Sequence, residues 1–370
     1  MSFAAQPLPS STPGLRPLNV MIVDDSVVMR GMISRMILDE PGVAVVAASV
    51  GNGQEAVDRA KRGNLDVVIL DIEMPVMDGL TALPLLLQTN PNLVVIMAST
   101  LTTRNADISL KALNSGAKDY IPKPSSLTPG AGAAEFKREL IEKLRALGSR
   151  YRTTRSPAVA AAVQPAPLPA VFAMRAATAL RSHAIAIGSS TGGPNALVQL
   201  LKNLKAPLRV PVFVTQHMPP TFTTLLAQNL TRDTGHQCVE AVDGMPVMPG
   251  KVYIAPGDYH LTVERKGVSN VIRLNQDAKE NFCRPAVDPM LRSLSKVYGQ
   301  QLTVCILTGM GQDGLIGAQA AADAGANVLA QDEASSVVWG MPAVVAKAGI
   351  ACLVAPPTQL AARLNDMVGV

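Results

Sequence analysis

The sequence predicts an α/β fold in two domains. The first is a five-stranded parallel sheet wound on both faces by helices, and the second is a doubly wound α/β domain with an antiparallel hairpin. Three observations carry this. Short apolar runs alternate with amphipathic stretches along residues 18–124. A stretch rich in Arg, Ala and Pro breaks the pattern at 148–180. The alternation then resumes from 181. A length of 370 residues accommodates two domains at roughly 100–200 residues each. With 48% hydrophobic and 16% charged residues, a chain disordered throughout is excluded. Aromatics are only 3%, so Val, Ile, Leu, Met and Ala must fill the cores.

The elements follow in order. Residues 1–17, rich in Pro and Ser, form an expected disordered tail. Strands are expected at LNVMIV (18–23), VAVVAASV (43–50), DVVIL (66–70), LVVIMA (93–98) and KDYI (118–121). Helical segments fall between them near 26–38, 53–62, 79–88 and 105–115. AAEFKRELIEKLRAL (133–147) ends the first domain, 18–147, as a helix with Phe136, Leu140, Ile141 and Leu144 at helical spacing. Residues 148–180 read as a linker. The second domain, 181–370, opens with HAIAIG (183–188), a Gly-rich turn and a helix at 196–204. PVFVTQHM (211–218) and KVYIAPG (251–257) read as strands. HLTVERKG (260–267) and NVIRLN (270–275) read as a hairpin about Gly267. DPMLRSLSKVYG (288–299) is helical, QLTVCILTGMGQDG (301–314) is strand then turn, and AQAAADAGA (318–326) is helical.

Charge and cysteine usage narrow the function classes. The balance of 33 basic against 28 acidic residues gives +5, with no block of five basic residues and no helix-turn-helix pattern. Nucleic acid is therefore not an expected partner. Cysteines stand at 238, 283, 305 and 352, too far apart for a C-x-x-C zinc site. A disulfide framework is not expected, and Cys305 and Cys352, in apolar runs, read as buried thiols. The N-terminus lacks the basic start and apolar core of a secretory leader, and the uncharged stretch 156–174 is broken by prolines. A cytoplasmic monomer without membrane insertion is expected.

Parallel α/β sheets place function at the carboxyl ends of their strands. In the first domain that edge collects Asp24 and Asp25 after the first strand, Asp71 after the third, Ser99 and Thr100 after the fourth, and Lys123 after the fifth. Crowded carboxylates repel unless a cation joins them, and oxygen ligands of this kind suit Mg²⁺. A carboxylate beside such an ion can accept a phosphoryl group, with the ion and the lysine balancing charge. The plainer alternative has Asp24 and Asp25 capping the following helix and Asp71 ending a strand.

In the second domain, Ser189, Ser190 and Thr191 enter a Gly-rich turn before a helix. His217 follows PVFV, and Asp313 lies among glycines after another strand. A hydroxyl, an imidazole and a carboxylate at one sheet edge are the parts of a serine hydrolase. No G-x-S-x-G elbow is present, and the order Ser…His…Asp differs from the familiar ones. A hydroxyl that only caps a helix, or glycines that cradle a phosphate, remain open for the turn by itself.

The motifs VDDS (23–26), LDIEMPVMDG (70–79) and KP (123–124) resemble the receiver domain of two-component response regulators, a flavodoxin-like fold. That resemblance implies that Asp71 accepts the phosphoryl group. It implies that Asp25, Asp71 and the Glu73 carbonyl bind Mg²⁺, with Asp24 assisting. It makes Lys123 a phosphoryl contact, Ser99 the hydroxyl switch with Thr100 its close competitor, and Tyr120 the aromatic switch. GSSTGGP (188–194), TQHMPP (215–220), YIAPGDYH (253–260) and LTGMGQDG (307–314), in this order after a receiver, resemble the chemotaxis protein-glutamate methylesterases, the CheB family. The resemblance implies Ser190 as nucleophile, His217 as base, Asp313 as the third member, and oxyanion donors around Thr191 and the backbone near Met310. It implies a phosphorylation-activated esterase that hydrolyses glutamyl methyl esters, and deamidates glutamines, on the cytoplasmic helices of methyl-accepting chemoreceptors. A chemotaxis histidine kinase is the implied phosphodonor, and no cofactor is expected in the esterase domain. The alternative is a receiver-controlled binding or scaffold protein without chemistry.

Overall fold

The computed structural model describes residues 16–100, 102–124, 130–154 and 173–369. Residues 1–15 of the expected tail and 155–172 of the expected linker lie outside the described residues. The chain divides into two compact units, each with its own parallel sheet.

Residues 18–154 alternate β1 (Leu18–Val23), α1 (Val27–Leu38), β2 (Ala44–Val50), α2 (Gly53–Ala60), β3 (Val67–Asp71), α3 (Gly79–Thr89), β4 (Val94–Ser99), α4 (Thr103–Asn114), β5 (Asp119–Pro122) and α5 (Ala131–Thr154). The sheet order is β2-β1-β3-β4-β5, every pair parallel. Central β3 and β4 are buried along their whole length, which is why they read as unbroken apolar runs. Edge strand β2 is mostly half-buried and mixes small and apolar residues. The strand order reverses between β1 and β3, so a crevice opens at their carboxyl ends. Local chemistry sets the helix starts there. Ser26 Oγ accepts from Met29 N and caps α1, which buries Met29, Ile33, Met36 and Ile37 on one stripe. The cap of α1 is thus a serine, which leaves the adjacent acids for other work. Asn52 caps α2 by accepting from Glu55 N, and the Glu55 carboxylate in turn accepts from Gly51 N. A Cβ on Gly79 would lie 2.0 Å from the Asp71 carbonyl oxygen, so only glycine lets the β3–α3 loop fold back so closely.

The second unit contains β6 (Ala184–Ser189), α6 (Gly193–Lys202), β7 (Val212–Gln216), α7 (Phe222–Thr234), β8 (Gln237–Glu240), β9 (Lys251–Ile254), β10 (His260–Lys266), β11 (Ser269–Asn275) and α8 (Val287–Tyr298). It ends with β12 (Leu302–Ile306), α9 (Leu315–Asp323), β13 (Asn327–Gln331), α10 (Met341–Lys347), β14 (Leu353–Ala355) and α11 (Pro357–Val368). Seven parallel strands order as β14-β13-β12-β6-β7-β9-β8. Strands β10 and β11 pair antiparallel from His260↔Asn275 to Lys266↔Ser269 and turn at Gly267, with φ +61°. Aliphatic side chains dominate the core, and its few aromatics meet each other: Phe213 stacks on Tyr253 with ring centres 5.6 Å apart.

Four details at the edges differ from the plain reading. Helix α5 runs to Thr154, so the linker does not begin at 148; the polar Gly-Ser-Arg composition there continues a helix already under way. The other linker end is also shorter. Arg175 N donates to Ala351 O and Thr178 N to Asn327 Oδ1, which fasten that segment to the second unit. At the start, Arg16 makes a two-pronged pair with buried Asp66, which ties down the end of the supposed tail. Cys352 is only half-buried, because it stands beside the short edge strand β14, whereas Cys305 on central β12 is buried.

Candidate functional site

Two constellations form, one at the carboxyl edge of each sheet. In the first unit Asp24 and Asp71 are buried and Asp25 is exposed, and one ligand oxygen of each lies within 4.8 Å of the others. Lys123 Nζ sits 2.6 Å from Asp24 Oδ2 and 2.7 Å from Asp71 Oδ1. One lysine against three carboxylates leaves surplus negative charge. Burial pushes the Asp71 carboxyl up to about 6, against the opposing pull of Lys123, and Asp24 adds to the rise. The donors are all oxygens, which fits a hard divalent cation. Glu73, two residues past the end of β3, is exposed.

The residues expected to respond lie close by in the fold. Ser99 is buried at the end of β4, its Oγ donating to the Thr100 carbonyl, and its own carbonyl accepts from Lys123 N at 2.7 Å. Thr100 beside it is exposed. Tyr120 on β5 is buried. Burial first, then the charges of Asp119 and Glu139, hold its phenol well above the ordinary value. Lys143 Nζ donates to the Tyr120 carbonyl and lies 5.3 Å from the ring centre.

In the second unit, Ser190 directly follows β6. Its N–H donates to Thr308 O at 3.0 Å, and its carbonyl accepts from Gly193 N and from Gln216 Nε2. Glycine is needed twice around it. A Cβ on Gly193 would meet Gln216 Oε1 at 1.9 Å, and one on Gly309 would meet Ser190 Cβ at 2.9 Å. Ser189 is fully buried and its Oγ donates to Gln216 Oε1, whereas Ser190 is half-buried. His217, directly after β7, donates its backbone N–H to Ser189 O. The strand pairing of β6 with β7 therefore brings the serine turn and the histidine to one edge.

His217 Nε2 lies 2.7 Å from Asp313 Oδ2. Asp313 is buried and also accepts from the backbone N–H groups of Val287, Asp288 and Gly314 and from Asn281 Nδ2. Burial works to raise its carboxyl, but the bond and charge of His217 with the amides of Val287 and Asp288 prevail and hold it below the ordinary range. For His217, burial works to lower the imidazole, yet the neighbouring Cys283 and Asp313 prevail and raise it well above 6.5. With Nε2 donating to Asp313, Nδ1 is the nitrogen left to act as base. Nδ1 faces Cys283 Sγ at 3.4 Å, and no hydrogen bond joins it to Ser190 Oγ among the described residues. Thr191 is buried, its carbonyl accepting from Thr308 Oγ1. Met310 is half-buried, in the turn after β12, and its N–H donates to no acceptor among the described residues.

Sequence reasoning missed the support behind Asp313. Fully buried Asp288 accepts from Gly317 N at 2.6 Å and from Asn281 Nδ2 at 3.2 Å. Burial, then the nearby Asp313 charge, pushes its carboxyl up to about 7. Cys283 was also missed as a neighbour of the histidine. The available signal was NFCRPAVDP (281–289), a polar turn opening a helix with an Asn, a Cys and an Asp in eight residues.

Comparisons with known proteins agree across the chain. A sequence profile described as CheB methylesterase matches residues 185–364, and one described as response regulator receiver domain matches residues 20–129. A protein-glutamate methylesterase/protein-glutamine glutaminase 1 of Paramagnetospirillum magneticum is 52% identical over 368 residues, 95% of this chain and 96% of that protein. A protein-glutamate methylesterase/protein-glutamine glutaminase of Azospirillum brasilense is 51% identical, covering 95% and 93%. The crystal structure of the Thermotoga maritima CheB methylesterase catalytic domain, 40% identical, superposes with a TM-score of 0.50 over 51% of this chain and all of that one.

Proposed function

From the premise that the chain belongs to the CheB methylesterase family, with a response-regulator receiver ahead of the esterase domain, we propose that it hydrolyses protein glutamyl methyl esters and glutaminyl amides through Ser190, His217 and Asp313, under the control of phosphorylation at Asp71. The observation that carries this is the 2.7 Å bond from His217 to an Asp313 held by backbone amides, at the same sheet edge as the Ser190 turn. Asp313 fixes the imidazole with its proton on Nε2, so Nδ1 takes the Ser190 proton as Oγ attacks the ester carbonyl. The imidazolium that forms is stabilised by the Asp313 carboxylate. Its proton then goes to the departing methanol, or ammonia from a glutamine. Water, deprotonated by the same Nδ1, hydrolyses the glutamyl ester on Ser190. The free N–H of Met310 and the backbone at Thr191 are the candidate oxyanion donors.

In the receiver, Asp71 is the proposed phosphoryl acceptor, with Asp24, Asp25 and the Glu73 carbonyl completing a Mg²⁺ site. That ion, when bound, offsets negative charge on the transferred phosphoryl oxygens. Lys123 contacts the new phosphoryl group, and Ser99, with Thr100 as its competitor for the switch position, and Tyr120 respond to it. The proposed substrates are glutamates on the cytoplasmic helices of methyl-accepting chemoreceptors, and the proposed phosphodonor is a chemotaxis histidine kinase. No helix among the described residues is long and apolar enough to cross a membrane. The test is methanol release from methylated receptor cytoplasmic fragments, with and without a small phosphodonor and Mg²⁺. Release is expected to vanish in Ser190→Ala, and its stimulation by phosphodonor to vanish in Asp71→Asn. Undiminished release by Ser190→Ala overturns the esterase assignment. Equal stimulation of Asp71→Asn overturns the phosphoryl acceptor.

A further inference from the structure

The base nitrogen of His217 has a second nucleophile beside it. Cys283 Sγ stands 3.4 Å from Nδ1, so Cys283, His217 and Asp313 form a continuous chain of contacts. The thiol is partly exposed. The remaining cysteines have no such neighbour. Burial pushes the Cys238 thiol up to about 11 and raises that of Cys305 further, and Cys352 donates to the Val328 carbonyl.

The turn that presents Cys283 is built for that placement. Glu280 and Cys283 exchange both backbone hydrogen bonds, which closes a tight two-residue turn. Its central residues, Asn281 at φ +50° and Phe282 at φ +64°, occupy the left-handed region that L-residues rarely adopt. Asn281 is held there by its bonds to Asp288 and Asp313, and Glu280 by its pair with Arg292.

We propose that Cys283 is a modification site for low-molecular-weight disulfides, and that a mixed disulfide there shuts the esterase. His217 Nδ1 takes the thiol proton, and the Cys283 thiolate attacks one sulfur of the disulfide. The S–S bond of the reagent breaks. One half stays on Cys283 as a mixed disulfide, and the other leaves as a thiolate that recovers the proton from His217. Protein thiol is oxidised and half of the reagent is reduced, so the exchange balances. The adduct then occupies the space at Nδ1 that the Ser190 proton must cross. A thiol reductant reverses it. The loss of esterase activity rests on the assignment of Ser190 and His217 above; the labelling itself does not.

The test treats the full chain with oxidised glutathione at pH 7.5, locates adducts by peptide mass, and measures methanol release in parallel. One glutathione on Cys283, a fall in release of at least tenfold, and recovery with dithiothreitol are expected. In His217→Ala the rate of labelling at Cys283 is expected to fall at least tenfold, because the proton acceptor is gone. In Ser190→Ala labelling is expected to proceed as in the wild type, which separates the thiol from the esterase. Labelling spread evenly over the cysteines, an unchanged rate in His217→Ala, or full methanol release from protein labelled at Cys283 would each overturn the proposal. Methanol release that survives Ser190→Ala overturns the esterase assignment instead and leaves the labelling result standing.

Discussion

Each unit crowds carboxylates at the end of its sheet, and the two solve the repulsion in opposite ways. In the receiver, Asp24, Asp25 and Asp71 share one lysine, and Asp71 is pushed up to about 6. Its charge is left short of partners, which suits the proposed uptake of a cation and a phosphoryl group. In the esterase unit, Asp313 accepts from three backbone amides, Asn281 and His217, and its carboxyl is held below the ordinary range. The burden of like charge falls on Asp288 behind it, pushed up to about 7. The group proposed to exchange ligands is undersatisfied, and the group bonded to the imidazole is saturated with hydrogen bonds.

The sharpest way to break this comparison is Asp313→Asn. The amide keeps the shape but loses the charge and the clean acceptor for Nε2–H, so methanol release is expected to fall about 10³–10⁴-fold. A fall of less than tenfold would mean that the saturated carboxylate does not govern the histidine. The matching change in the receiver is Lys123→Met, which strands buried Asp24 and Asp71 without their cation. Destabilisation of the receiver by about 3–5 kcal/mol is expected in urea unfolding, with much of it recovered by millimolar Mg²⁺. If Mg²⁺ recovers none of it, the pocket is not short of positive charge.

Asp288→Asn sharpens the other side. The carboxyl of Asp288 is raised in the folded state from an ordinary value of 3.8 to about 7, so the folded protein holds its proton longer than the unfolded chain. That contribution to stability is complete below about pH 4 and is lost as pH rises towards 7. At roughly 1.4 kcal/mol per pH unit, the wild type should therefore lose a few kcal/mol relative to Asp288→Asn between pH 4.5 and 8. Parallel melting of the two proteins across that range would contradict the assignment. The smallest expected effect is in the pH profile of activity. Because His217 is raised well above 6.5, methanol release should keep climbing past pH 7.5 and not level off near 6.5. A plateau reached by pH 6.5 would show that Cys283 and Asp313 do not hold the imidazolium.

The strands that place these sites were legible because central parallel strands are buried on both faces and read as plain apolar runs, as VVILD and VVIMAS do. Residues that follow such runs directly, such as Asp71, Ser190 and His217, inherit positions at the sheet edge from the run itself. Less was legible where the sheet ends. Short edge strand β14, edge strand β8 and the helices near the C-terminus lack long apolar runs and leave no clear pattern in the sequence. The ends of the linker were hard to read for a related reason. Arg175 and Thr178 sit in an Ala-rich segment with no pattern of its own, and only hydrogen bonds to Ala351 and Asn327 fix them. Cys283, Asn281 and Asp288 could not be placed by spacing, since their partners His217 and Asp313 lie far away in sequence and meet them only in the folded chain.

One measurement bears most directly on the claim that Ser190 is the nucleophile activated by His217 and Asp313. The full chain would be treated with a fluorophosphonate, which labels hydroxyls made nucleophilic by a neighbouring base, and the adduct located by peptide mass. One adduct on Ser190 is expected, formed at least a hundredfold more slowly in Asp313→Asn. No adduct on Ser190, or labelling of Ser190 at the wild-type rate in Asp313→Asn, would contradict it.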